Sequence, residues 1–283
     1  MEPAEVVERL WPGAGARFEQ LGGGITNRNF KVVVGGKAFV LRIGGEDTRL
    51  LGIDRQAEHA ASRVAAELGL APEVAAFVEP EGYLVTRYVE GVVGQVRVED
   101  AAAALRRLHD GPELPARFDS FRVVETYHAT AAEHGVAVPQ LYARVKELAG
   151  RIEARRADVE RRPCHNDLLG ANFIDDGSRL WIVDWEYAGM GDPFFDLGNF
   201  AVNNGLDEEG ERALLAAYGS ADHDALVLMR FMSDLREAMW GVVQQAISKL
   251  DFDFRAYAER HFERLAGTAE EPRFRAALRD PAH

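Results

Sequence analysis

Three polar residues have the types and the spacing that the transfer of a phosphoryl group requires. Asp167 and Asn172 lie five positions apart in the segment 165–172, which reads HNDLLGAN, and Asp184 follows in a short apolar segment. Phosphoryl transfer needs a carboxylate to accept the proton of the attacking hydroxyl, and oxygen ligands to hold Mg²⁺ on the phosphates. We therefore predict that Asp167 is the catalytic base and that Asn172 and Asp184 bind the metal ion.

A strand hairpin is expected to bring the two metal ligands together. Residues 172–174 and 179–185 read as short strands, joined by the turn sequence DDGS. Alternation along the second strand predicts that Asp184 faces a cleft, on the side opposite Val183 and Trp185. His165 is expected to fix the loop through hydrogen bonds to the backbone. Singly, such residues are also typical of helix caps, turns and surface strands, but their joint spacing favours catalysis.

A glycine-rich turn between two predicted strands is the candidate phosphate-binding loop. Residues 21–27 read LGGGITN, between strands predicted at 17–21 and 29–34. Glycine lets the backbone approach a phosphate closely, and free N–H groups can then bind it. We name Gly23, Gly24, Thr26 and Asn27 as candidate nucleotide contacts, although a glycine triplet is also common in plain turns.

A basic residue and a helix carboxylate complete the predicted phosphate site. Arg42 lies on the strand predicted at 37–43, and Glu58 lies on the helix predicted at 53–68. A guanidinium binds phosphate in a bidentate way and keeps its charge, and a helix glutamate holds the basic residue in place. Arg55 is an alternative partner for Glu58 at i,i+3, and Lys37 is a less favourable phosphate contact because it starts the strand.

The predicted elements divide the chain near residue 90. Residues 1–90 read as strands with one helix, and residues 91–283 read as mainly helical. Helices are predicted at 98–109, 141–156, 207–218, 225–250 and 254–265, and the polar tail after residue 267 is expected to fray. The predicted fold class is α+β, with a small β-rich N-lobe that binds nucleotide and a larger helical C-lobe that carries the catalytic loop and the substrate pocket.

Composition argues against several classes of protein. The formal net charge is −13, which disfavours nucleic acid or an anionic membrane as the main partner. The single cysteine, Cys164, excludes an intramolecular disulfide and a cysteine zinc cluster. The sequence shows no signal-peptide pattern and no run of about 18 apolar residues, so we expect no stable membrane insertion and a cytoplasmic location. A monomer or a homodimer is expected.

Several motifs resemble those of the choline/ethanolamine kinase branch of the aminoglycoside-phosphotransferase-like kinases, over residues 21–265. They are GGITN at 23–27, VLRI at 40–43, DRQAE at 54–58, HND at 165–167, DWEYAG at 184–189, DP at 192–193 and FDLGNF at 195–200. The resemblance implies a two-lobed protein-kinase-like fold, ATP and Mg²⁺ as cofactors, and a small cationic amino alcohol as substrate. Backbone groups of Arg87, Tyr88 and Val89 would then contact the adenine.

The resemblance also implies an aromatic and acidic pocket for the cationic group of the substrate. Ring faces bind a quaternary ammonium through cation–π interactions of roughly 0.5–2 kcal/mol each, and nearby carboxylates add to them. Trp240 and Tyr187 are the candidate walls, and Glu186 and Asp196 are the candidate carboxylates. Trp240 is equally typical of a packed core, and Asp196 is alternatively a residue that orients the catalytic loop. Val243 stands where choline kinases often have a second tryptophan, which favours an amine that needs less aromatic wall.

Three functions remain open from the sequence. The first is an ATP-dependent kinase of choline or a related amino alcohol, a phosphotransferase with an alcohol group as acceptor. The second is a kinase of the same fold that acts on an aminoglycoside, a sugar amine or thiamine. The third is a nucleotide-binding pseudokinase or scaffold, which the intact Asp167, Asn172 and Asp184 disfavour. The resemblance favours the first.

Overall fold

A five-stranded antiparallel sheet dominates the N-terminal region of the computed structural model, which describes residues 2–22, 27–45 and 48–279. The strand order in this sheet is β1-β2-β3-β5-β4. The strands are β1 (Arg17–Leu21), β2 (Asn27–Val34), β3 (Lys37–Gly44), β4 (Val74–Val78) and β5 (Tyr83–Arg87).

The turn between β2 and β3 fixes the register at the centre of this sheet. Gly35 and Gly36 have φ angles of +56° and +77°, the left-handed backbone that the favoured two-residue hairpin turn requires at both positions. The register places Asn29 opposite Arg42. β3 also pairs with β5, so Arg42 lies on a central strand of the sheet.

Two helices belong to the N-terminal region. α1 (Pro3–Leu10) contributes Val6 and Val7 to an apolar cluster with buried residues of the sheet. α2 (Arg55–Glu67) begins after Asp54, whose side chain accepts hydrogen bonds from two N–H groups of the first turn. The buried positions of α2 are 58, 61, 62 and 65. They recur at three- and four-residue steps, so Glu58 faces inward with the apolar side of the helix.

Helices make up most of the C-terminal region. They are α3 (Val98–His109), α4 (Ser120–Glu133), α5 (Tyr142–Arg155), α6 (Pro193–Asn203), α7 (Glu208–Tyr218), α8 (His223–Ile247), α9 (Phe254–Glu270) and α10 (Pro272–Ala277). Two small sheets accompany them, one with the order β6-β8-β9 and one pairing β7 with β10. Their strands are β6 (Val92–Val93), β7 (Arg162–Cys164), β8 (Phe173–Asp175), β9 (Leu180–Ile182) and β10 (Gly189–Gly191).

α8 lies at the centre of the C-terminal region, packed against α4, α6 and α9. Residues 231–244 of this helix are all buried, as expected of a helix that other elements enclose. At Gly198 of α6, a Cβ atom would lie 2.6 Å from the backbone nitrogen of Arg230 in α8. Only glycine permits so close an approach. Asp234, Arg236 and Glu237 are charged residues within this buried part of α8, where charged side chains are rare unless they are paired.

Within the described ranges, no helix has the length and apolar character needed to cross a membrane.

The predicted α+β class, with a β-rich N-terminal region followed by helices, is confirmed. Two expectations about single elements are wrong. The strand predicted at 179–185 ends at Ile182, and Asp184 has a φ of +69°, so strand alternation does not orient its side chain. The tail after residue 267 does not fray before residue 279, because α9 continues to Glu270 and α10 buries Phe274.

Candidate active site

Asp196 of α6 holds the loop that carries Asp167. Its carboxylate oxygens accept hydrogen bonds from the backbone N–H groups of His165 at 2.8 Å and Asn166 at 2.7 Å. Nε2 of His109 lies 3.1 Å from the same carboxylate. Asp196 has no exposed surface, and both of its oxygens are engaged. These contacts agree with the alternative role predicted for Asp196, which is to orient the catalytic loop.

His165 links the catalytic loop to the segment that carries Asp184. Its Nδ1 accepts a hydrogen bond from the backbone N–H of Asp167 at 3.2 Å, and its Nε2 lies 3.1 Å from the carbonyl of Val183. These two roles require a neutral ring with its proton on Nε2. Burial lowers the pKa of His165 and so favours that neutral ring. His165 thus contacts the backbone of the predicted base and of Val183, the residue before the predicted metal ligand Asp184.

Asp167 is buried against an arginine that the sequence did not single out. Its Oδ1 accepts a hydrogen bond from Nη1 of Arg236 in α8 at 3.1 Å, and its side chain is 10% exposed. Burial raises the pKa of Asp167 to about 7; Glu237 and Asp184 add to this shift and Arg236 opposes it. A carboxylate with a pKa near neutrality is well suited to accept a proton at physiological pH.

Asn172 and Asp184 present oxygen ligands on adjacent segments. The backbone N–H of Val183 donates to the carbonyl of Asn172 at 2.9 Å, which brings Asp184 beside the catalytic loop. Nδ2 of Asn172 donates to the carbonyl of Asp167 at 2.8 Å, so its Oδ1 is left for another partner. The side chain of Asp184 is 25% exposed. Because an amide oxygen and a carboxylate are ligands that Mg²⁺ takes, the residues fit this ion.

Arg42 pairs with carboxylates from two different segments. Its Nη1 lies 2.9 Å from Oδ1 of Asp184 and also pairs with Glu58. Burial opposes the charge on Arg42, but the carboxylates of Asp184, Glu58 and Glu186 outweigh this effect and raise its pKa above the ordinary value. Arg42 is therefore a fixed positive charge beside one of the predicted metal ligands.

Glu186 lies against the N-terminal region of the chain. Its Oε2 accepts hydrogen bonds from Nη1 of Arg55 at 3.1 Å and from Nδ2 of Asn27 at 2.9 Å. Burial, together with Asp184, raises the pKa of Glu186 to about 8. Arg55 also pairs with Glu58 at 2.7 Å, so it does more than form the local pair that the sequence suggested. These contacts join Glu186 to β2 and α2 and not to the aromatic residues of α8.

A cavity of about 340 Å³ lies between the sheet and the catalytic segments. Its lining includes Arg42 and Glu58 from the N-terminal region, residues 87–89 at the end of β5 and just after it, and Asp184. The predicted phosphate loop is described only at its ends: Gly22 lines the cavity, and Asn27 starts β2. Gly23, Gly24 and Thr26 lie outside the described residues.

At the end of β5 and just after it lie the three residues predicted to contact adenine, and two of their backbone N–H groups are already engaged. The N–H of Arg87 donates to the carbonyl of Glu73 at 2.8 Å, and the N–H of Tyr88 donates to the carbonyl of Ala38 at 3.1 Å. Both amides are therefore unavailable to a nucleotide. For the N–H of Val89, the part of the chain that the structure covers supplies no backbone acceptor, which leaves it the best placed of the three.

Aromatic and charged side chains surround Arg236. The guanidinium lies over the ring of Tyr187, 4.4 Å from its centroid, and pairs with the carboxylate of Glu237. Oη of Tyr257 donates to Glu237 at 2.7 Å. Trp240 is 8% exposed, and its ring packs edge-on against Tyr257 at 5.6 Å and Phe254 at 5.8 Å. We call these residues the α8 cluster: Tyr187, Arg236, Glu237, Trp240, Phe254 and Tyr257.

Arg236 and Glu237 were missed in reading the sequence, although a signal was present. They are adjacent charged residues which, with Arg230 and Asp234, interrupt a mainly apolar stretch of α8 from 225 to 243. Charged side chains are rarely fully buried unless they are paired, so this pair pointed to a buried polar site. Tyr257 on α9 contacts Glu237 of that pair through its hydroxyl.

Known proteins resemble this chain over most of its length. The sequence model of the phosphotransferase enzyme family matches residues 17–235. The LicA protein of Haemophilus influenzae is 28% identical over 272 residues, which cover 84% of this chain and 79% of that protein.

Two solved structures share the whole fold. A choline/ethanolamine kinase family protein from Mesorhizobium loti is 33% identical with a TM-score of 0.83, over 97% of this chain and 96% of that one. The choline kinase LicA of Streptococcus pneumoniae is 25% identical with a TM-score of 0.80, over 94% and 97%. The predicted resemblance to the choline/ethanolamine kinases, and the kinase-like fold that it implies, are confirmed.

Proposed function

The chain belongs to the phosphotransferase enzyme family, and we propose that it transfers the γ-phosphoryl group of ATP to the hydroxyl of choline or a related amino alcohol. One observation carries the proposal: Asp167 contacts Asn172 of the predicted metal site and Arg236 of the aromatic α8 cluster. A base between these two groups can take a proton from the hydroxyl of an acceptor whose amine contacts the aromatic rings. The similar structures include a choline kinase, which supports this choice of acceptor.

Asp167 is the base in the proposed reaction. It accepts the proton of the acceptor hydroxyl while the hydroxyl oxygen forms a bond to the γ-phosphorus, and the bond from that phosphorus to the leaving ADP oxygen breaks. Its pKa of about 7 leaves a large part of the carboxylate free to accept a proton at neutral pH. The hydrogen bond from Arg236 holds the carboxylate in position, while Asn172 and Asp196 hold the backbone of its loop.

Asn172 and Asp184 would hold Mg²⁺, and Arg42 would contact the phosphates. When bound, the ion supplies positive charge that offsets the charge of the phosphate oxygens. Arg42 stays charged beside Asp184, and Glu58 keeps its guanidinium in place. The cavity that these residues share with Val89 has room for the adenine end of the nucleotide.

The α8 cluster would bind the amine of the acceptor. Trp240 offers a ring face, whose contact with a cation stabilises it by roughly 0.5–2 kcal/mol. The guanidinium of Arg236 already lies over the ring of Tyr187. Glu237 adds a buried negative charge between Arg236 and Tyr257. This charge suits an amine better than it suits a neutral sugar ring.

Release of ADP from MgATP, measured with a panel of acceptors, tests the proposed function. The panel contains choline, ethanolamine, its methylated forms, thiamine and an aminoglycoside. Turnover of an amino alcohol at about 1–100 s⁻¹, the usual range for kinases, is the expected result. Turnover confined to thiamine or the aminoglycoside would replace the proposed acceptor. Tight MgATP binding without turnover of any acceptor would contradict the proposed function.

A further inference from the structure

Arg236 is a buried cation with hydrogen-bond donors to spare. The residue is 2% exposed, and Nη1 serves both Asp167 and Glu237. Nε and Nη2 are buried as well, and neither finds a hydrogen-bond acceptor anywhere in the described ranges. Buried N–H groups are nearly always paired, because an unpaired one loses the hydrogen bonds that water gave it. These two donors therefore have no acceptor within the described chain, and an acceptor group on a bound ligand can pair with them.

The guanidinium also occupies a place that a ligand cation would need. It lies over the face of Tyr187, 4.4 Å from the ring centroid, where an ammonium group would gain its cation–π contact. An acceptor with only a positive charge would meet a like charge at this ring. Such an acceptor would also leave Nε and Nη2 of Arg236 unpaired.

Glu237 places the opposite charge directly beside this cation. Its Oε2 accepts the hydroxyl proton of Tyr257 at 2.7 Å, and the ring of Tyr257 packs edge-on against Trp240. The α8 cluster thus presents a guanidinium on one side, and a carboxylate with two aromatic rings on the other. Asp167 contacts the guanidinium side and keeps 10% exposure of its side chain, so a reacting hydroxyl has access there.

We infer that the acceptor is a zwitterion: besides its hydroxyl and its cationic amine, it carries an anionic group, such as a carboxylate, that pairs with the free N–H groups of Arg236. The amine lies against Glu237 and Trp240, and the hydroxyl lies at Asp167. This inference rests on the proposed function and narrows its substrate class from amino alcohols to those that carry an acidic group.

Matched acceptors that differ only in the acidic group test the inference. One set is serine, its methyl ester and ethanolamine; the other is carnitine, its methyl ester and choline. ADP release is measured with the full chain and MgATP, and phosphorylated products are identified by mass spectrometry. The free acid should exceed its ester in kcat/KM by about 10- to 100-fold in at least one set, the factor expected for a charge-assisted hydrogen bond.

Substitution of Arg236 supplies the second arm of the test. Arg236→Lys keeps the charge but loses the planar fork, and it should reduce the preference for the acid. Arg236→Met removes the charge and should bring acid and ester to equal kcat/KM, while the KM for ATP stays the same. The exposed Arg255→Met, on α9, is the matched control and should keep the wild-type preference. Thermal denaturation checks that each variant folds.

The outcomes separate the two proposals. Equal kcat/KM for acid and ester in the wild-type chain, with good turnover of choline or ethanolamine, would overturn the zwitterion and leave the proposed function in place. Turnover of none of the six compounds and of no methylated ethanolamine would contradict the proposed function itself. If Arg236→Met fails to fold, the acid-to-ester ratio in Arg236→Lys decides: an unchanged ratio contradicts the inference, and a reduced ratio supports it.

Discussion

Arg236 donates a hydrogen bond to Oδ1 of Asp167 across 3.1 Å, and both side chains are buried. The predicted base and this arginine therefore form one unit, although they are 69 positions apart in the sequence. The pairing fixes the carboxylate from the side of α8, while Asp196 and His165 fix the backbone of its loop from below.

Activity should rise with pH through about 7. Burial raises the pKa of Asp167 to about 7, and only the deprotonated carboxylate can accept the hydroxyl proton. The expected kcat/KM for the acceptor is low near about pH 5.5 and reaches a plateau above about pH 8. The profile is measured at saturating MgATP. A profile that is flat over this range would show that Asp167 does not limit the reaction as a base.

The raised pKa of Asp167 should also make the folded chain less stable as the pH rises. Between the ordinary pKa of 3.8 and about 7, the folded chain keeps a proton on Asp167 that the unfolded chain has lost. Its effect on the free energy of unfolding is therefore absent below about pH 4 and becomes more destabilising as the pH rises to about 7. Asp167→Asn should gain stability relative to wild type between pH 5 and pH 8, measured by urea denaturation. An unchanged difference would contradict the raised pKa.

Loss of either predicted metal ligand should raise the Mg²⁺ concentration needed for activity. Asp184→Asn removes the charged ligand, and Asn172→Ala removes the amide oxygen left free by its bond to the Asp167 carbonyl. We expect each to lower kcat about 100-fold or more, since charge on the phosphates is then poorly neutralised. The dependence of rate on Mg²⁺ is the measurement, and the exposed Asp158→Asn is the control. Wild-type Mg²⁺ dependence in both variants would remove these residues from the metal site.

Removal of the Trp240 ring should weaken binding of the acceptor and not of ATP. Trp240 packs against Tyr257 within the α8 cluster, and loss of one ring contact should raise the KM for the amine roughly 2- to 30-fold. Trp240→Phe keeps a ring and should lie between wild type and Trp240→Ala. Trp181→Ala, in β9, serves as the control. Equal effects on the KM values of amine and ATP would indicate that Trp240 serves packing alone.

The close packing of α6 against α8 should leave no room for a methyl group at Gly198. A Cβ at Gly198 would meet backbone atoms of Arg230 and Met229 at 2.6–2.9 Å, so Gly198→Ala should lower the free energy of unfolding by about 1–3 kcal/mol. Gly150→Ala in α5 is a matched control, because a Cβ there has no neighbour within 4 Å among the described residues. This control should be neutral or stabilising by up to about 1 kcal/mol. Equal denaturation midpoints for the two variants would contradict the packing.

The catalytic segments could be predicted from the sequence because their information is local. Asp167 and Asn172 share one loop, and the turn after Asp175 returns the chain to Asp184. The exact end of β9 was not predictable, because the left-handed backbone of Asp184 is rare for a non-glycine residue. α6 was missed because its buried residues, 195–202, form a nearly continuous set without helical alternation.

The partners of the charged residues could not be predicted for a different physical reason. Arg236 meets Asp167 only because α8 packs beside the catalytic loop, and Glu186 meets Arg55 only because α2 reaches the segment after Asp184. Such contacts depend on how elements pack, which neither spacing nor periodicity reveals. For the same reason Asp196, placed at the substrate by resemblance, proved to bind the loop beneath Asp167.

Transfer of radiolabelled phosphate from [γ-³²P]ATP to the best amino-alcohol acceptor, compared between wild type and Asp167→Asn, tests the central claim most directly. Asparagine has the shape of aspartate but accepts no proton, so the variant should bind MgATP with nearly unchanged affinity. Its kcat should fall by about 100- to 10,000-fold, the range for loss of a general base. Near-wild-type transfer by the variant would contradict the assignment of Asp167 as the base and the account of the site that depends on it.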